Sequence, residues 1–142
     1  MMVRNINSKI IKEENLSFYK CKTFSDLCSF VRVYMLGFNL RKYKYILYLL
    51  NNINFKYENY IVYKDNNVVG CFSLYFDEDF VCLYDFAILN EYRGKGLGND
   101  CLIQIINKVY DKGYNELYLF VSEKNITAIN LYKKHNFYFC EE

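Results

Sequence analysis

The stretch EYRGKGLGNDCL, residues 91–102, holds half of the glycine in the chain: Gly94, Gly96 and Gly98 are three of only 6 in 142 residues, and there is no proline. The run before it, FVCLYDFAIL (80–89), is apolar on both faces apart from Asp85, as a central strand must be. On its other side Leu97, Cys101, Ile105 and Val109 stand at helical spacing, with Gly113 able to end the helix. The glycines therefore join a buried strand to the start of a helix. The first turn of a helix has unpaired N–H groups and a partial positive charge, and it attracts anions. Removing side chains lets those groups touch oxygen directly, and Arg93 and Lys95 add charge at the rim. This is a cradle for an anion, best a diphosphate; the alternative is a tight strand-to-helix turn with no ligand.

On either side of this turn the period of the apolar residues changes along the chain. A polar arm (1–15) precedes a short strand, LSFYKC (16–21). Ser25 opens an amphipathic helix through Leu27, Phe30, Val31, Tyr34 and Met35 up to Gly37, and a second helical pattern runs through Tyr43, Ile46, Leu47 and Leu50. Residues 60–64 and 68–76, joined by Asp65, Asn66 and Asn67, read as a hairpin. ELYLFV (116–121) is a further buried strand, Asn125 caps a helix carrying Ile126, Ile129, Leu131 and Tyr132, and FYFC (137–140) is a last strand. The order β-α-α-β-β-β-α-β-α-β predicts an α/β (α+β) structure with one mixed sheet: one domain over 16–142 behind the arm 1–15.

Composition narrows the function classes. A chain of 142 residues that is 53% hydrophobic and 20% aromatic suits one domain with a real core. The 6 cysteines lack any CxxC pair and there is a single histidine, which argues for a reducing cytoplasm and against a zinc site. No long apolar run or leader pattern points to a membrane or to export. The formal charge of +2 is too small for nucleic-acid binding, and the basic first half has no dense stripe.

Three phosphate loops compete for the glycine stretch. A Walker loop fails, because Gly94-Lys95 is followed by Gly96 and no glycine stands five residues before it. A dinucleotide fingerprint starts at Gly94 and Gly96 but meets Asn99 where its third glycine is due. The pattern [QR]xxGx[GA] is met by Arg93, Gly96 and Gly98, and with it the chain resembles the GNAT superfamily of acyl-CoA-dependent N-acyltransferases. A second segment, SEKNITAINLYKKHNF (122–137), is similar to that family's N-x-x-A-x-x-x-Y-x-K-x-G-F through Asn125, Ala128, Tyr132, Lys134 and Phe137, with Asn136 in place of the glycine. With 16 Tyr in the chain a lone Tyr match says little; the joint spacing says more.

The resemblance implies roles. Amides of Gly94, Lys95, Gly96, Leu97 and Gly98, with Arg93, would hold the pyrophosphate of coenzyme A. Main-chain groups around Ala87 and Ile88 would pair with the pantetheine arm where the strand parts from its neighbour, and an N–H there could steady developing oxyanion charge. Asn125 would hydrogen-bond the pantetheine or simply cap its helix. Tyr132 would orient or protonate the departing sulfur, or else be a core tyrosine. The glutamates that relatives carry as base fall at Cys82 and Phe120, which leaves Asp85, the only charge in the buried strand, as substitute base or as partner of a basic neighbour. The family's usual last strand has no counterpart here, so the sheet edge would be short or completed by a partner subunit.

The acceptor site in such folds falls at GFNLRKYKY (37–45), where Tyr43 and Tyr45 could line it and Arg41, Lys42 and Lys44 would disfavour a polyamine. The expectation is thus a cytoplasmic N-acetyltransferase, monomer or homodimer, moving acetyl from acetyl-CoA to a primary amine of a small molecule or peptide, with no metal, nucleic acid or membrane involved. The rival expectation is a catalytically silent acyl-CoA-binding sensor or scaffold.

Overall fold

The computed structural model describes residues 1–40 and 56–141. The helical pattern expected around Tyr43, Ile46, Leu47 and Leu50, and the acceptor residues Arg41, Lys42, Tyr43, Lys44 and Tyr45, lie outside the described residues. Seven strands form one sheet: β1 (Met2–Asn5), β2 (Ser17–Lys20), β3 (Tyr57–Lys64), β4 (Asn67–Phe76), β5 (Val81–Ile88), β6 (Glu116–Leu119) and β7 (Tyr138–Phe139). Their spatial order is β2-β3-β4-β5-β6-β1-β7, and β5–β6 is the one parallel pair among them. The described helices are α1 (Phe24–Phe38), α2 (Leu97–Asp111) and α3 (Ile126–Lys134). None of them is long and apolar enough to cross a membrane.

Alternation along the strands explains the layers. Tyr60, Phe72, Leu83 and Leu117 look to one face, where Leu102, Ile105, Ile106 and Val109 of α2 and Tyr132 and Phe137 close the larger core. Ile61, Cys71 and Ala87 look to the other, and Leu27, Phe30 and Val31 of α1 cover them. The β3–β4 turn is tight because Asp65 (φ 49°) and Asn66 (φ 66°) both accept the left-handed conformation that a two-residue hairpin requires. Helix α1 starts one residue before the expected Ser25, because Thr23 and Asp26 form a reciprocal capping box.

The arm is more than the polar lead-in to the domain that its sequence suggested. Met2 and Val3 are buried, and β1 is inserted antiparallel between β6 and β7. The sheet beside β6 is therefore continued from within the chain by β1, and the edge strand beyond it, β7, is short, as expected. The arm then runs over α2: the main chain of Ile10 exchanges two hydrogen bonds with the Asn107 side chain (both 2.8 Å), and that of Leu16 exchanges two with Gln104 (3.2 and 3.0 Å). Two side-chain amides thus do for the arm what a strand neighbour would do. Replacing Asn107 by Ala leaves the Ile10 groups unpaired in a half-buried setting, which costs about 1–3 kcal/mol. We expect Tm to fall by roughly 3–12 °C; an unchanged calorimetric Tm would show that the arm is not held this way.

Candidate functional site

β5 and β6 pair only from Val81–Leu83 to Leu117–Leu119 and then part. The strand expected to run to Val121 stops at Leu119, and Phe120 beyond it is 60% exposed. The local cause is a bulge on the other side of β5. Cys71 faces Ala87 but Ser73 faces Tyr84, so β5 carries one extra residue opposite Phe72. Asp85 sits in that bulge at φ 57°, and the buried Cys71 thiol donates to its carbonyl at 3.3 Å. A bulge adds local twist, and β5 leaves β6 where this one lies. The wedge encloses a cleft of about 330 Å³ whose walls include Asp85, Phe86, Phe120, Asn125 and Tyr132.

The peptide groups at the end of β5 divide by register. The Leu89 N–H donates to Val69 O at 2.8 Å, so Leu89 and Ala87 turn their main-chain groups toward β4. Ile88, one step on, turns its own to the parted edge. Of the two residues expected there, Ile88 presents its N–H to an extended ligand, its carbonyl already accepting from Arg93, while Ala87 packs under α1.

The glycine turn has the geometry of a cradle. Gly94 (φ 76°) and Gly96 (φ 77°) are left-handed, and a Cβ on either would project into open space. Gly98 differs: a Cβ there would meet Leu131 Cδ2 at 3.7 Å and Ile88 Cγ1 at 3.8 Å, ordinary contact distances. Helices α1 and α3 open with side-chain caps, on Thr23 and Asn125, whereas α2 opens at Gly96 with none. The amides of Leu97, Gly98 and Asn99 therefore face outward at the positive end of a 15-residue helix. These features fit a diphosphate. Arg93 is committed elsewhere than expected: its Nε donates to Ile88 O (2.8 Å) and its Nη2 to Gly37 O (2.7 Å), so it braces the turn against α1 while leaving its positive charge nearby. Lys95 reaches back over the Tyr92 ring, 5.7 Å from its centroid. Asn99, at the missing third glycine of the dinucleotide pattern, lies 2.6 Å from His135 Nε2 and ties the start of α2 to the end of α3.

Helix α3 supplies the opposite wall. Asn125 Oδ1 accepts from the Ala128 N–H at 3.2 Å, so Asn125 caps the helix and lines the cleft at once. Tyr132 is only 8% exposed and tilts against Phe137, ring centroids 5.6 Å apart. Burial, with a smaller contribution from Cys101, pushes its phenol up to about 12. Asn136 takes the left-handed φ of 65° at the end of α3, and the bonds Phe137 N–H to Tyr132 O and Asn136 N–H to Lys133 O complete a Schellman motif. Asparagine thus does the conformational work of the glycine it replaces, and the motif fixes Tyr132 against Phe137.

Asp85 borders the cleft as expected for a base, among phenols. Burial first and the Asp85 charge second push Tyr34 up to about 12 and raise Tyr57. Tyr34 and Phe38, with ring centroids 5.0 Å apart, bring α1 into the site. Sequence reading placed Tyr34 on the buried face of α1 and missed this role; the only signal was an i, i+4 aromatic pair at the end of the helix.

With this geometry in view, the comparisons are specific. The model of the Acetyltransferase (GNAT) family matches residues 24–137. The chain belongs to the GNAT family. A [ribosomal protein bS18]-alanine N-acetyltransferase of Haemophilus influenzae is 34% identical over 89 residues, 63% of this GNAT chain and 60% of that protein, so the match spans less than two thirds of the relative. Among solved structures, the ribosomal-protein-S18-alanine N-acetyltransferase from Escherichia coli has a TM-score of 0.72 at 20% identity, covering 84% of this chain and 76% of that one. A GNAT acetyltransferase from Elizabethkingia anophelis with acetyl-CoA bound has a TM-score of 0.63 at 20% identity, covering 87% and 76%. At such identities the structures speak for the fold.

Proposed function

We propose that this protein is an N-acetyltransferase that moves the acetyl group of acetyl-CoA to a primary amine by direct attack in a ternary complex. The observation that carries the reading is one continuous path: an uncapped helix start at Gly96, the free edge of β5 at Ile88, and a cleft bounded by Asp85, Asn125 and Tyr132. The family match and the N-acetyltransferase relatives support it. Bound along that path, acetyl-CoA supplies the activated acetyl thioester. Leu97, Gly98 and Asn99 hold the diphosphate through their amides, with the Arg93 charge nearby. Ile88 donates its main-chain N–H to a pantetheine carbonyl, and Asn125 offers its NH₂ group there. Tyr132 keeps its hydroxyl proton and donates a hydrogen bond toward sulfur. Full transfer from a phenol near 12 to an ordinary thiolate near 8.5 is uphill by about 5 kcal/mol, so orienting the sulfur is its task.

Asp85 serves as proton acceptor for the incoming ammonium. Asparagine tolerates the left-handed φ of this position and removes only the charge, which makes Asp85→Asn a clean test. We expect kcat to fall by about 10²–10⁴-fold with coenzyme A affinity preserved; unchanged turnover would hand deprotonation to water or to the acceptor itself. Incubation with acetyl-CoA and a panel of small amines and peptides, following free thiol, tests the activity as a whole. Binding without thiol release across the panel would favour the second reading, a silent acyl-CoA sensor, which the apolar Cys82 and Phe120 at the family's acidic positions speak for.

A further inference from the structure

The part of the sheet face beyond α1 is aromatic. Cross-strand register puts Tyr57, Tyr75, Cys82 and Tyr118 in one row across four strands. Tyr75, Cys82 and Tyr118 of that row, with Met1, Phe80, Tyr84 and Phe120, line a trough of about 400 Å³, and Tyr57 packs on Tyr75 at its end. Its rings are in contact: Tyr57–Tyr75 at 5.0 Å, Phe80–Tyr118 at 5.3 Å and Tyr84–Phe120 stacked at 6.1 Å. Among the described residues, none that lines the trough is acidic. The nearest carboxylate on the same face of β6, Glu116, already accepts from the Tyr118 hydroxyl at 2.9 Å. Tyr84 and Phe120 line both the trough and the cleft, so the two adjoin at this ring pair.

Such a wall offers a polycationic amine no carboxylate among its described residues, and the Lys56 ammonium already lies over the Tyr75 ring at 5.9 Å, while apolar side chains find burial and ring contacts there. The distance favours a chain over a compact molecule. Asp85 and Cys82 are three positions apart on β5, about 10 Å at 3.3 Å per residue, the reach of three residues of extended peptide. We propose that the acceptor is a peptide amino terminus whose amine sits by Asp85 and whose second and third residues lay aromatic or large apolar side chains in this trough. The proposal rests on the acetyl-transfer reading for its purpose, but its binding component can be measured separately.

The probes are Ala-Phe-Tyr-amide, Ala-Ser-Ser-amide and phenethylamine, titrated by calorimetry into the protein saturated with coenzyme A. The aromatic tripeptide should bind at least about tenfold more tightly than the serine tripeptide, since apolar pockets discriminate about 10- to 200-fold per group. Phe120→Ala should narrow that ratio to within about threefold; because Phe120 is 60% exposed, the truncation leaves the core intact, which an unchanged Tm confirms. Equal affinity for the two tripeptides overturns the trough assignment, and phenethylamine binding as tightly as Ala-Phe-Tyr-amide overturns the assignment to a peptide. Thiol release from acetyl-CoA in the same mixtures bears on transfer alone: selective binding with no thiol release upholds the trough and removes the transferase.

Discussion

Gly96→Val is expected to weaken coenzyme A binding by at least about 100-fold, while Gly98→Ala binds as the wild type does and unfolds at a higher temperature. The two glycines stand two residues apart, yet the structure separates them. Gly96 holds φ 77°, where a β-branched residue is strained by about 1–2 kcal/mol, and its side chain would project into the open space at the start of α2. Loss of two charge-assisted hydrogen bonds to phosphate is worth about 3–6 kcal/mol, or 10²–10⁴ in Kd. Gly98 lies inside the first turn of α2, where alanine is favoured over glycine by up to about 1 kcal/mol and its methyl finds room beside Leu131 and Ile88. Calorimetric titration and a thermal scan of both variants decide the matter. If both bind like the wild type, the diphosphate is not held here.

Tyr132→Phe is expected to lower kcat by roughly 10²-fold with a KM for acetyl-CoA changed by less than about threefold, because the hydroxyl acts on the departing sulfur and the ring keeps its place against Phe137. The pH dependence carries a sign. The folded phenol titrates near 12, above its unfolded value near 10, so the stabilising neutral form is fully present below pH 10 and is lost as pH rises through 12. Tyr132 therefore stays protonated throughout the working range, and no alkaline fall in kcat between pH 8 and about 10.5 should disappear in the Phe variant. A fall in the wild type that Tyr132→Phe abolishes would mean that the phenol delivers its proton after all.

The candidate site was legible in unequal parts. Gly96 and the loop around it could be read from sequence because left-handed backbone and bare amides are local demands that few residue types meet. Asn125 and Tyr132 could be read from their seven-residue spacing, which puts both on one face of a helix. The trough could not: Tyr75, Tyr84, Tyr118 and Phe120 come from separate strands and a loop, and nothing local distinguishes them from the other aromatics of a chain with 16 Tyr and 12 Phe. Asp85 stood out as a charge in an apolar run, yet its left-handed φ arises only from the pairing of β5 with β4.

Short-range features were thus written in the residues alone: the strand-glycine-helix turn, the hairpin at Asp65 and Asn66, the three described helices and the family they spell. Which strand lies beside β6, where β5 and β6 separate, and which aromatic side chains share a face were settled by packing across the whole chain. Met2–Asn5 becomes a strand because Glu116–Leu119 offers it a free edge more than a hundred residues away, and a pairing of that kind leaves no periodic trace in so short a segment as Met2–Asn5.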